Sequence, residues 1–373
     1  MDHLERYGHG GDLWSAAAAY GVEENTYIDF SANINPLGPP NHVLHTLETA
    51  REWVIRYPDP GHRRLKQLLA SRMHIDADQL LIGNGAAECM ALLLLAEQPG
   101  KVGIVAPCFS EYEGLSRQFG AEVMTLIGSS EHDYRATAEE LEHFIPQVNV
   151  CFIGYPNNPT GVMYEWSVLE RAIQTAERSH TILAVDEAFI DFIPDGEARS
   201  ALQLLESCPH VVVFRSLTKF YAIPGLRLGY AVGHPERIAA MTGKQVAWSV
   251  NGLALAAGEA MFSHEEAQAE QLLIYEEATR ALITRERAWM VEKLRESGVK
   301  VYRSEVNFML CAAPSPWTAA ALQTALGQQG ILIRSCAMYT GLTERHFRLA
   351  VKDRASNERL IEALRIVINE IRE

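Results

Sequence analysis

Lys219 and Arg227 stand out in the stretch Ser216–Tyr230, SLTKFYAIPGLRLGY. The lysine sits among apolar residues, and the arginine follows beyond a Pro-Gly pair. One reading of Lys219 is an amine snorkelling from a strand end. The chemical reading is a nucleophilic, Schiff-base lysine, because a desolvated amine loses its preference for the charged form. Asp186 in VDEAF raises a matching question, since it ends a run of purely apolar residues. A carboxylate there needs a partner, because burying it alone is costly. It reads either as a cap or salt-bridge residue, or as the partner of a cationic ring nitrogen.

Three further pieces lie at strand ends. GNGAAE, Gly83 to Glu88, is a glycine turn opening a helix whose first N–H groups are free, which suits a phosphate. A plain strand-to-helix turn looks the same. PNNPTG, Pro156 to Gly161, reads as a turn, though Asn158 could offer its amide to a ligand oxygen. In PCFSEY, Phe109 could stack on a flat ring or simply fill the core. The chain order is phosphate turn, aromatic, Asn, Asp, Lys, Arg. Open α/β sheets bind ligands at successive strand ends of this kind. An amine, a carboxylate and a phosphate turn together point to pyridoxal phosphate (PLP), whose protonated ring is an electron sink.

The elements that must position these residues are legible as short apolar runs alternating with helical ones. The strand candidates are LLIG (80–83), KVGIVA (101–106), NVCFIG (149–154), ILAVDEAF (182–189), VVVFRS (211–216) and LRLGYAVG (226–233). They carry little polar alternation, as strands buried on both faces do, and their alternation with helices predicts a mostly parallel α/β sheet. Beyond Glu265 a stretch of over thirty residues keeps helical periodicity without proline. Helices that long often bridge two domains. VKVYRSEVNFMLCA, ILIRSC and FRLAV then read as strands, and TAAALQTALGQQG and NERLIEALRIVINEIRE as helices, an α+β layer.

Composition bounds the reading. The chain has 373 residues, comfortable for two domains, with 48% hydrophobic and 21% charged residues. Its net charge of −14 would repel a nucleic acid. A few local arginines can still hold a small anion. The six cysteines form no C-x-x-C pair, so neither a disulfide framework nor a metal site is expected. The start lacks the apolar region of a signal peptide, and the longest apolar run, Cys89 to Ala96, is too short for a membrane span. The expectation is a cytoplasmic protein with no membrane or nucleic-acid partner.

The set GNGAAE, PCFSEY, PNNPTG, DEAF, SLTKFYAIPGLRLGY and FRLAV resembles the fold-type I PLP enzymes of the aspartate aminotransferase superfamily over nearly the whole chain. The resemblance implies a PLP-dependent transferase fold. Residues 41–265 would form the large PLP-binding domain, and 1–40 with 266–373 an arm plus a smaller α+β domain. It implies that Lys219 forms the covalent link to PLP and that Asp186 faces the pyridine nitrogen. Asn158 would bind the 3′-oxygen and Phe109 would stack on the ring. The turn at Gly85, the amides of Ala86 and Ala87, Ser216 and Arg227 would hold the cofactor phosphate. Arg348 would take the substrate α-carboxylate. Tyr57 in RYPDP would reach the cofactor phosphate of a second subunit, implying a homodimer with shared active sites.

Where the aminotransferases usually carry a tyrosine after the aspartate, this chain has Phe189, which cannot bind the 3′-oxygen. SANINPLG (31–38), DEAFIDF, WSVN and ILIRSC resemble the branch of the superfamily that decarboxylates phosphothreonine in cobalamin biosynthesis. Such an enzyme releases CO2 from L-threonine O-3-phosphate and needs no metal. Arg334, Asn33 and the N-terminal His9 are candidates for the substrate phosphate. Arg334 could instead be a surface salt-bridge residue, and His9 part of a loose tail. Two alternatives stay open, a histidinol-phosphate aminotransferase and a decarboxylase preferring phosphoserine. A PLP-binding regulator without turnover is disfavoured, because the lysine is present and no DNA-binding module is appended.

Overall fold

The computed structural model describes residues 10–369. Among these residues thirteen strands occur, numbered here in chain order. Strand β1 (Ile28–Asp29) lies apart from the main sheet and pairs in parallel with β11 (Ile331–Leu332). The main sheet holds β2 (Leu80–Gly83), β3 (Lys101–Ala106), β4 (Glu122–Ile127), β5 (Val150–Gly154), β6 (Ile182–Asp186), β7 (Val211–Ser216) and β8 (Gly229–Gly233). Their spatial order is β2-β8-β7-β6-β5-β3-β4. β8 alone runs opposite to the other six strands. A third sheet, β12-β13-β10-β9, is antiparallel and comprises β9 (Lys300–Val301), β10 (Phe308–Ala312), β12 (Arg334–Ser335) and β13 (His346–Ala350).

The central strands are apolar at every position because both faces are covered. Odd positions such as Cys151, Leu183 and Val213 join one core cluster, and even positions such as Phe152, Ala184 and Val212 join the other. This is the packing of a parallel sheet between helical layers. The edge strand β4 was not among the expected strands. Its EVMTLI pattern is half-exposed, and its polar residues hide the signal.

Two expected strands divide. Residues 299–312 break into β9 and β10, and ILIRSC breaks at Ile333, where the backbone leaves β1 to pair with β13. The long helix spans Glu266–Glu296, 31 residues. Its Tyr275, Glu276 and Thr279 hydrogen-bond to Asn35 and to the segment carrying Lys219. Among the described residues no helix is long and apolar enough to cross a membrane.

Candidate active site

The register of the main sheet sets strand ends side by side. Gly154 stands beside Asp186, Asp186 beside Phe214, and Ser216 beside Gly229, which also neighbours Gly83. Strand alternation then sorts the side chains. Asp186 and Ser216 face the cavity, and their chain neighbours Glu187 and Arg215 face the opposite layer. There Arg215 Nε donates to Glu187 at 2.8 Å and Nη1 to Glu197 at 3.0 Å, with Ser200 completing the group. Burial opposes the Arg215 charge, but Glu187, Glu197 and Asp191 overcome it and raise its pKa. The network pins the ends of β6 and β7 from behind. Sequence reading missed it, because its members come from four separate segments.

A cavity of about 570 Å³ opens at these strand ends. Its lining brings together Lys219, Asp186, Asn158, Phe109, Ala86, Ala87, Ser216, Arg227, Asn33, Arg334 and Arg348. Phe189 is also part of the wall. Tyr57 is not; it stands 85% exposed, with its ring 5.0 Å from that of Trp248. His9 lies outside the described residues.

One pole of the cavity suits a phosphate. Helix Ala86–Glu97 begins there, and its acidic Glu88 turns back to accept the Asn84 N–H at 2.6 Å. Gly85 sits just behind the lining with φ 87°, and a Cβ on it would lie 2.7 Å from Arg227 Nη2. Only glycine allows the turn and the guanidinium to approach so closely. A Cβ on Gly229 would similarly lie 2.5 Å from the Ala86 nitrogen. Arg227 itself is in the left-handed region (φ 57°), which brings it back across the Pro-Gly turn.

At the other pole Asp186 Oδ2 accepts from the Tyr112 hydroxyl at 2.6 Å, and Oδ1 accepts from the Ala188 N–H at 3.0 Å. Burial raises the Asp186 pKa; both hydrogen bonds and the nearby Lys219 oppose the rise. Tyr112 had drawn no attention in PCFSEY beside Phe109. Its ring stacks on Phe152 at 5.0 Å, which aims the hydroxyl under Asp186. Burial, then Arg348 and Arg227, lower the Lys219 pKa to about 8, against the pull of Asp186.

The antiparallel sheet supplies two arginines. Arg334 and Arg348 are direct partners on β12 and β13, and both are buried. Opposite like charges repel unless something anionic joins them. Arg348 Nη1 donates to Asn158 Oδ1 at 2.5 Å and Nη2 to the Ser31 carbonyl at 2.6 Å. Its buried Nε has no partner among the described residues. Burial pushes the Arg348 pKa below its usual range, and Arg334 adds to that.

A family model described as aminotransferase class I and II matches residues 25–364. The chain belongs to that family. Class I and II aminotransferase relatives include threonine-phosphate decarboxylase of Salmonella typhimurium, 38% identical over 97% of both chains. The L-threonine-O-3-phosphate decarboxylase structure from Porphyromonas gingivalis superposes with TM-score 0.78 at 25% identity, covering 91% of this chain and 99% of that one. Histidinol-phosphate aminotransferase from Sinorhizobium meliloti, solved with pyridoxal-5′-phosphate, shares the fold (TM-score 0.80, 22% identity, 99% and 100% covered).

The cofactor of the class I and II aminotransferase family is PLP. The residues present fit it. The glycine-backed helix start with Arg227 suits its phosphate, Lys219 its aldehyde, the buried Asp186 its ring nitrogen, and Phe109 its flat face. Among the described residues no cluster of His, Cys, Asp or Glu could hold a metal.

Proposed function

We propose that the protein decarboxylates L-threonine O-3-phosphate to (R)-1-amino-2-propanol O-2-phosphate and CO2, a step of cobalamin biosynthesis. The observation that carries this reading is the Arg334–Arg348 pair, in register at one wall of the cavity that also holds Lys219. Two buried cations side by side suit a substrate with an anion at each end. The similarity to threonine-phosphate decarboxylases supports it.

PLP, when bound, supplies a carbonyl for the substrate amine and a ring that accepts the electron pair of a broken Cα bond. The protein does the rest. Asp186, held by Tyr112, keeps the ring nitrogen protonated. Ala86, Ala87, Ser216 and Arg227, with the turn at Gly85, hold the cofactor phosphate. Asn158 accepts from Arg348 through Oδ1, which leaves its amide N–H groups to donate to the 3′-oxygen. Arg348 takes the α-carboxylate, and Arg334 with Asn33 takes the substrate phosphate; His9 is a further candidate for that end.

Anchors at both ends of the substrate would fix its pose, and so which Cα bond breaks. The Cα–carboxylate bond breaks, CO2 leaves, and Lys219 returns one proton to Cα. Phe189 meets Phe308 edge-on at 4.9 Å and carries no hydroxyl, unlike the tyrosine usual in aminotransferases. We read the enzyme as a cytoplasmic homodimer, with Tyr57 reaching the partner's cofactor. Its six cysteines are buried thiols, in keeping with a reducing compartment. Residues 41–265 would be the cofactor domain, and 1–40 with 266–373 the arm and the smaller one.

Incubating the enzyme with phosphothreonine and no oxoacid is expected to release CO2 and the aminopropanol phosphate in equal amounts. A requirement for 2-oxoglutarate, with glutamate formed, would overturn the reading in favour of an aminotransferase acting on histidinol phosphate. Phosphoserine lacks one methyl group, and its kcat/KM should fall about 10–200-fold below that of phosphothreonine. A higher value for phosphoserine would make that the substrate.

A further inference from the structure

The mechanism above leaves Asp29 unused, although its side chain lines the cavity. β1 holds it in place, with Asp29 opposite Leu332 and the next residue, Phe30, bonded to Leu332 and Ala350. Asp29 Oδ1 gathers three donors. They are the Ser31 N–H at 2.7 Å, the Ser31 hydroxyl at 2.6 Å and the Ala32 N–H at 3.3 Å. Ser31 is buried, and it touches two functional parts at once. Its carbonyl accepts from Arg348 Nη2 at 2.6 Å, and its Oγ accepts from the Gly11 N–H at 2.8 Å.

The strap at Gly10 and Gly11 is seated on this same residue. A Cβ at Gly10 would lie 2.1 Å from the Ser31 carbonyl oxygen, so no other residue fits there. Gly11 has φ 89°, and both glycines line the cavity. One carboxylate oxygen therefore fixes the peptide that orients the carboxylate-binding guanidinium and the hydroxyl that ties down the strap.

We propose that Asp29 is a positioning residue, acting through Ser31 to hold Arg348 in its substrate-binding orientation and the Gly10–Gly11 strap against the cavity. This rests on Arg348 as the ligand of the substrate carboxylate. Asp29 contributes as a hydrogen-bond acceptor, so an amide oxygen at the same place replaces most of its effect.

The test compares Asp29→Ala, Asp29→Asn and Ser31→Ala in the PLP-loaded enzyme. Hydrogen bonds to a charged acceptor are strong enough that Asp29→Ala should raise KM for phosphothreonine about tenfold or more, with a smaller loss in kcat. Asp29→Asn should recover KM to within about threefold of the parent enzyme. In Ser31→Ala the Arg348 contact survives, so KM should move less, while amide exchange in the Gly10–Trp14 segment accelerates about tenfold. All three variants should keep the visible absorbance of bound PLP.

An unchanged KM in Asp29→Ala would overturn the proposal. So would Asp29→Asn being as impaired as Asp29→Ala, or loss of PLP and of Tm in step with activity, which marks a purely structural turn. If the parent enzyme releases no CO2 from phosphothreonine, the substrate reading fails. The exchange measurement needs no substrate and still decides whether Ser31 tethers the strap.

Discussion

Lys219 shows how a few neighbours turn an ordinary side chain into a reagent. Burial disfavours its ammonium form, and the cations Arg348 and Arg227 push the same way, while Asp186 pulls back. The outcome is an amine lowered to about 8. At that pH half the amine is neutral, against about 0.3% for an unperturbed lysine. Only the neutral amine attacks a carbonyl, so the sign follows directly. Covalent capture of PLP by the apoenzyme should speed up about tenfold per pH unit below the midpoint and level off above it. Arg348→Met removes one of the downward pushes and should move the midpoint to higher pH. Stopped-flow absorbance against pH checks both points. A rate that stays flat from pH 7 to 9 would mean that Lys219 does not titrate there.

At the scale of elements, the turn between β2 and helix Ala86–Glu97 is the part least tolerant of change. Gly85→Ala meets two obstacles, a positive φ and a Cβ 2.7 Å from Arg227 Nη2. At φ 87° and ψ 161° any residue but glycine costs about 1–3 kcal/mol, and its Cβ would displace the Arg227 guanidinium, so PLP affinity should fall about tenfold or more. Equilibrium dialysis gives that affinity, and the Tm of the apoenzyme separates it from a folding defect. An unaltered affinity would remove Gly85 from the phosphate site.

The same elements explain what the sequence made legible. Lys219, Asp186 and Asn158 were readable because each stands at or just beyond the end of a core strand, where a polar residue after an apolar run is conspicuous, and Arg227 because it follows a Pro-Gly pair just before β8. β2, β3 and β7 were readable at their full extent because both of their faces are buried. Tyr112 was not, because its meaning comes from Asp186, 74 residues away. Ser31 was quoted only for resemblance, since the arginine it positions lies 317 residues along the chain. ILIRSC looked like one strand because hydrophobicity does not record a change of partner at Ile333.

At the scale of the whole molecule, two chain segments leave large apolar side chains exposed in a way one chain does not explain. Val54, Ile55 and Val246 are each at least 69% exposed, and Tyr57 is 85% exposed beside Trp248. Large exposed apolar side chains of this sort suit an association surface, and closed two-fold pairing is the commonest form for identical chains. If Tyr57 serves the partner's cofactor, each site is built from two chains, and damage on different chains can be complemented. Lys219→Ala should be inactive, and Tyr57→Ala should bind PLP more weakly. In a mixed dimer the site that retains Lys219 receives Tyr57 from the other chain and is intact. Co-refolding the two variants in equal amounts makes about half the dimers mixed, each with one intact site, so about a quarter of all sites should bind PLP with the parent affinity. If Tyr57 instead acted within its own chain, no dimer would contain an intact site, and mixing would restore nothing beyond the average of the two variants.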